Sequence, residues 1–152
     1  MLTRRSLLAL AALTPVGALM APSVMAATPE TFADDGLAIR GIDPVAYFAG
    51  NGPVAGSPDH QLMWKGAIWQ FASAPNMAAF EADPMGYAPQ YGGYCAYAVS
   101  RGYTAGTDPE AWTLHAGKLY LNYSISVRAQ WRPEIAENIA LADANWPKVL
   151  EA

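Results

Sequence analysis

Two stretches of this chain carry the same pattern, and together they leave few folds open. His60-Gln-Leu62-Met-Trp64-Lys65-Gly66-Ala67-Ile-Trp69-Gln-Phe71 places Leu62 and Trp64 before a Lys-Gly turn and sets Ala67, Trp69 and Phe71 at alternate positions after it. Trp112 to Tyr123 repeats the arrangement around Ala116-Gly117. Alternation with period two sends successive side chains to opposite faces of a strand, and a glycine in the turn supplies the positive φ of a tight hairpin. Each stretch therefore predicts an antiparallel hairpin with one aromatic face buried, and the two are expected to share one small sheet.

The remaining elements are marked by their ends. Leu37-Ala-Ile39-Arg-Gly41 reads as a short edge strand, and Asp43-Pro44 as the cap and first position of a single helical turn, followed by a long loop through Gly50 to Pro58. Ser73 caps a helix over Met77, Phe80 and Glu81 that Asp83-Pro84 ends. Ser124 caps another, with Val127 and Trp131 four apart. Pro133 opens a last one, with Ile135, Ile139, Ala142 and Trp146 on one stripe and Glu134, Glu137, Asn138 and Asn145 largely off it. Hairpins and helices mix in order, and no strand–helix–strand repeat of the parallel type occurs. The expected fold is α+β: a small single domain, two antiparallel β-hairpins packed against several short helices, and a C-terminal helical segment.

The N-terminus is expected to lie outside that fold. Arg4 and Arg5 precede a weakly apolar, alanine-rich run to Met20, with small or tolerated residues before Ala27, the pattern of a twin-arginine export signal over 1–26. The run is too diluted by Thr14, Pro15 and Gly17 to be a membrane anchor. A periplasmic location and no stable membrane anchor after cleavage follow. Residues 27–36 read as a flexible lead-in and 37–152 as the domain. The whole sequence has a formal net charge of −4, and loss of Arg4 and Arg5 makes the mature chain more acidic. Its remaining lysines and arginines stand singly, which argues against a nucleic-acid partner. The chain has one cysteine, so an internal disulfide is impossible and stability must come from packing.

That cysteine sits in the most specialised stretch, Tyr87-Ala-Pro-Gln-Tyr91-Gly-Gly-Tyr-Cys95-Ala-Tyr97, which runs on to Gly102-Tyr103. The glycine pair predicts a helix beginning near Gly93 and ending at Gly102, with Cys95 in its first turn. Unpaired N–H groups there would favour a thiolate; the alternative is a small core residue among tyrosines. Tyr91, Tyr94 and Tyr97 are the candidate pocket around it. His60, read in a loop, and His115, read at the second hairpin turn, are the chain's two histidines and are expected to be exposed or simply hydrogen-bonded. Asp43, Asp83 and Asp108 each precede a proline, which turn and cap duty explains. The sequence has no phosphate-binding glycine loop, no Gly-x-Ser-x-Gly and no His-Glu-x-x-His.

Asp43-Pro44-Val45-Ala46, Trp64-Lys65-Gly66-Ala67-Ile68-Trp69-Gln70-Phe71-Ala72-Ser73 and Phe80-Glu-Ala-Asp83-Pro84-Met-Gly-Tyr87 together resemble the YHS domain. Tyr91-Gly-Gly-Tyr-Cys95-Ala-Tyr and Lys118-Leu-Tyr-Leu-Asn-Tyr123 are similar to an exported, stand-alone branch of that family. Metal-binding relatives carry cysteines where this chain has Ala46, Ala72 and Asn76, so the resemblance implies no such metal site here. Some proteins of the exported branch carry selenocysteine in place of a cysteine, and Cys95 is its counterpart, which implies a reactive residue. Three functions follow as expectations: a thiol-dependent redox or scavenging protein acting through Cys95 without a cofactor; a copper-type site built from Cys95, His60 and His115 with Met63, Met77 or Met85; and a non-catalytic module. The partner, a small molecule or a protein, stays open.

Overall fold

The computed structural model describes residues 17, 20–22 and 26–152. Arg4, Arg5 and nearly all of the apolar run that carry the export reading lie outside the described residues, as do 23–25 beside the expected cleavage point. The strands are β1 (Ala33–Asp34), β2 (Leu37–Ala38), β3 (Ser57–Trp64), β4 (Ala67–Phe71), β5 (Trp112–His115) and β6 (Lys118–Leu121). The helices are α1 (Ala74–Ala82), α2 (Pro84–Tyr87), α3 (Ala96–Ser100), α4 (Ile125–Trp131) and α5 (Ile135–Asn145). The α+β class holds, with both hairpins in place. Among the described residues no helix is long and apolar enough to cross a membrane.

Each hairpin turns where a left-handed pair permits it. Lys65 and Gly66 have φ of 47° and 78°, Ala116 and Gly117 of 49° and 75°, the signs of a two-residue turn whose twist matches the strands. The hairpins do not share a sheet, however. β3 and β4 join β2 and β1 in a four-stranded sheet of order β1-β2-β4-β3, whereas β5 and β6 pair only with each other. β2 is not an edge strand either: it lies between β1 and β4 and runs parallel to β4 at Leu37 and Ile68. The long loop is also shorter than its turn residues suggest, because β3 begins at Ser57.

The local signals for helix ends are realised by side-chain caps. Ser73 Oγ accepts from Asn76 N–H at 3.2 Å, Asp83 Oδ1 from Gly86 N–H at 3.1 Å and Ser124 Oγ from Val127 N–H at 3.1 Å. Each cap satisfies a donor that the first turn leaves free, and each contributes about 1 kcal/mol.

Two apolar clusters form the core. The first gathers Tyr47, Trp69, Phe71, Phe80 and Leu119 under the four-stranded sheet. The second gathers Tyr91, Tyr94, Val99, Tyr120, Trp131 and Ala142 beneath α5. Hairpin β5–β6 serves both, because alternate residues of β6 face opposite ways: Leu119 and Leu121 enter the first cluster and Tyr120 the second.

Residues 27–36, expected to be loose, are bonded along the domain. Thr28 N–H donates to Leu150 at 3.2 Å, Phe32 N–H to Gly92 at 2.9 Å, and Thr31 Oγ1 to the Lys65 carbonyl at 3.0 Å. Gly92, at φ +63°, is what allows the approach, since a Cβ there would collide with the Glu30 carbonyl. On α5, Asn138 and Asn145 also depart from the expected polar face. Asn138 is buried and donates to the Trp131 carbonyl at 3.0 Å, and Asn145 donates to the Val99 carbonyl at 2.8 Å, closing the C-terminal end of α3.

Candidate functional site

Cys95 is placed by a backbone turn that the sequence marks only in part. Gln90–Gly93 forms a 3-10 turn in which Tyr91 (φ 59°, ψ 37°) and Gly92 are left-handed, and Tyr94 is extended. The helix therefore begins at Ala96 rather than near Gly93, and Cys95 is its N-cap. No helical N–H reaches the sulfur. The donor is instead Tyr123 N–H at 3.2 Å, and the thiol donates to Asn122 Oδ1 at 3.5 Å. With 1% of its surface exposed, Cys95 has both polar lobes occupied within the protein.

The three tyrosines proposed to surround it face elsewhere. Tyr91 O–H donates to Asp143 Oδ1 at 2.8 Å, and Tyr94 O–H to the Pro29 carbonyl at 2.7 Å. Tyr97 is half-buried beneath the Arg101 guanidinium, 4.8 Å from its ring centre. Burial, reinforced by the bond to Asp143 and that carboxylate's charge, holds the Tyr91 hydroxyl far above its usual range. Burial also raises Tyr94 and, with Asp143, Tyr120.

His60 belongs to β3 rather than to a loop, and His115 ends β5 in the other sheet. No group of three His, Cys, Asp or Glu side chains able to hold a metal ion exists among the described residues, so Cys95, His60 and His115 do not assemble into a copper-type set. The separation of the two sheets is the physical reason. Met63 and Met85 are exposed at 67% and 66% and cap no such site.

Positions 46, 72 and 76 do converge, on a carboxylate. Asp43 Oδ1 accepts from Val45 N–H at 2.8 Å and Ala46 N–H at 3.3 Å, while Oδ2 accepts from Ala72 N–H at 2.9 Å and Asn76 Nδ2 at 2.8 Å. Asp43 is fully buried, and these N–H groups replace its hydration. The sequence reading made Asp43 the cap of a turn opening at Pro44, but the 3-10 turn spans Ala46–Ala49 with Val45 at its N-cap, and Asp43 instead receives the N–H groups leading into it. Its bonds to the end of β4 and the start of α1 bridge gaps that no local pattern reveals.

One cavity, about 370 Å³, opens at the seam of the two clusters. Trp64 and Trp69 come to it from the first hairpin, Tyr91 from the left-handed turn, Asp143 from α5, Trp146 from just beyond it and Lys118 from the start of β6; the bonded lead-in adds Glu30 and Thr31. Charges are largely committed. Lys65 Nζ lies 2.8 Å from Glu30 and 5.0 Å from the centre of the Trp64 ring, and Asp143 receives the Tyr91 hydroxyl. Lys118 has no ion-pair or hydrogen-bond partner among the described residues. A second cavity, about 380 Å³, is lined by Arg40, Gly106 to Pro109 and Tyr123.

Of the candidate site residues singled out in the sequence, Tyr91 and Met85 line this first cavity. Trp146 was read as the end of a stripe and Lys118 as a strand start; neither carried a signal of function. Tyr91 did carry one, because it precedes two glycines, and its left-handed φ is uncommon for a bulky side chain. Compared with family models, curated proteins and solved structures, the chain gives no significant match.

Proposed function

We propose that this chain is an exported, periplasmic protein of the YHS type that works by non-covalent binding, holding its ligand in the cleft between hairpin β3–β4 and the segment from Ala88 to Gly92. The observation that carries this reading is the cleft itself: about 370 Å³ lined by aromatic rings from both core clusters together with lysine and carboxylate side chains. Concave, largely aromatic sites with a few polar groups are where small ligands are held. The convergence of positions 46, 72 and 76 on Asp43 supports the YHS resemblance, since widely separated positions that relatives fill with cysteine meet at one point.

Cys95 then belongs to the packing. Iodoacetamide should label it only after denaturation, and Cys95→Ala should keep the folded structure. One observation favours a second reading, a thiol-dependent activity: the Cys95 sulfur accepts a hydrogen bond from Tyr123 N–H at 3.2 Å, which fixes the direction of a nucleophilic atom. Rapid labelling of the folded protein at neutral pH would replace the binding reading by that one. Export is tested separately by changing Arg4 and Arg5 to lysine, which should hold the precursor in the cytoplasm.

A further inference from the structure

We infer that the cleft takes a small planar aromatic carboxylate, with Lys118 as its counter-ion. This rests on the binding reading above and adds the class of ligand. The argument begins from which polar groups in the cleft are spent. The Lys65 ammonium is taken up by Glu30 at 2.8 Å and by the face of Trp64. Asp143 receives the Tyr91 hydroxyl through Oδ1 at 2.8 Å, which offsets part of its charge. The Thr31 hydroxyl is spent on the Lys65 carbonyl. Left over are the Lys118 ammonium, the Gln90 side-chain amide and the second Asp143 oxygen, Oδ2, none of which has a hydrogen-bond or ion-pair partner among the described residues. Lys118 is thus the cation of the cleft without an ion pair among the described residues, and a carboxylate is the ligand group that pairs with it and also accepts from the Gln90 amide.

The walls select the body of the ligand. Trp64 and Trp69 are 5.7 Å apart, with their planes at 63°, and belong to one cluster. Tyr91 and Trp146 are 6.1 Å apart, also at 63°, and belong to the other. A ring entering between them extends two edge-to-face aromatic arrays. The volume, about 370 Å³, lies near the lower end of ordinary ligand sites, about 300 Å³, and so favours a single small ring system over an extended chain. Tyr91 is fixed for this purpose by its left-handed backbone and by the bond to α5, so the wall is formed before a ligand arrives.

Calorimetric titration of the folded full-length mature protein with benzoate, benzyl alcohol and benzyltrimethylammonium separates the possibilities, with the indole N–H signals in NMR reporting the place of binding. Benzoate should bind about fivefold more tightly than benzyl alcohol, the scale of one partly exposed ion pair. The preference should vanish in Lys118→Met, a change on an exposed hairpin position that leaves the core untouched, and should fall with added salt. Trp146→Leu should weaken all aromatic probes together; if that variant does not fold, Lys118→Met still decides the charge preference. Tighter binding of the ammonium probe, with shifts at Trp64 or Trp146, would overturn the carboxylate class and leave the cleft as a binding site. Binding of none of the three would overturn both.

Discussion

Asp43 and Asn122 are equally buried, yet one is a closed site and the other is not. Asp43 accepts from four N–H groups, two per oxygen, so its charge is solvated by the protein. Asn122 Oδ1 accepts from Tyr97 N–H at 3.1 Å and from the Cys95 thiol at 3.5 Å, but its Nδ2 has no partner. Its backbone joins the chain on both sides, donating to Ala111 and accepting from Asp108, each at 3.0 Å. Burial alone therefore does not rank the two. Every donor around Asp43 loses its partner if the carboxylate goes, whereas removing the Asn122 side chain also removes a group that is itself unsatisfied.

That difference can be broken most directly at Asp43. Asp43→Ala strands four donors in the interior and should destabilise the protein by about 3–5 kcal/mol, read as a lower urea midpoint. Asn122→Ala should cost less, about 2 kcal/mol, because the loss of an acceptor for Tyr97 N–H is partly offset by removal of the orphan Nδ2. If Asn122→Ala costs as much as Asp43→Ala, satisfaction of polar groups is not what separates the sites.

Tyrosine ionisation gives a finer comparison. Tyr47 and Tyr91 are both held protonated well above the ordinary value, by burial first, with Glu110 and Asp108 acting on Tyr47 and Asp143 on Tyr91. A raised value in the folded state means that the unfolded chain releases its proton first. The associated stability is intact below about pH 10 and is lost as pH rises from there toward the folded-state values. Thermal unfolding should thus show a steep fall above about pH 10. Tyr91→Phe should flatten part of that fall and cost about 1 kcal/mol at neutral pH. The smallest effect is expected at the rim of the cleft, where Lys65→Ala breaks a half-exposed pair with Glu30 and should shift stability by within about 0.5 kcal/mol. A larger loss there would mean that the lead-in depends on that pair rather than on the buried Thr31.

Legibility followed sequence distance. Lys65-Gly66 and Ala116-Gly117 announced both hairpin turns, and Ser73 and Ser124 announced two helix starts, since each acts on a neighbour two or three residues away. Asp83, read as the end of α1, also caps α2, which was not expected. Gly102, left-handed at φ 88°, likewise marked the end of α3, while the start was misplaced because Tyr91 adopts a left-handed conformation that its residue type does not advertise. The candidate pocket failed for the opposite reason. Tyr91 and Tyr94 are near neighbours in sequence, but their hydroxyls are claimed by Asp143 and Pro29, on segments far along the chain in opposite directions.

The sequence by itself determined the class of fold, the two hairpins and the helix caps, because alternation, glycine turns and capping residues act over a few positions where chain entropy costs little. Only the tertiary structure decided that the hairpins lie in separate sheets, that the lead-in is bonded to Gly92, that Cys95 is enclosed by Asn122 and Tyr123, and that Trp64, Tyr91, Lys118 and Trp146 face one cleft. Those outcomes depend on which of many compatible surfaces meet. That choice is made by the burial of the whole aromatic core rather than by any one stretch of residues.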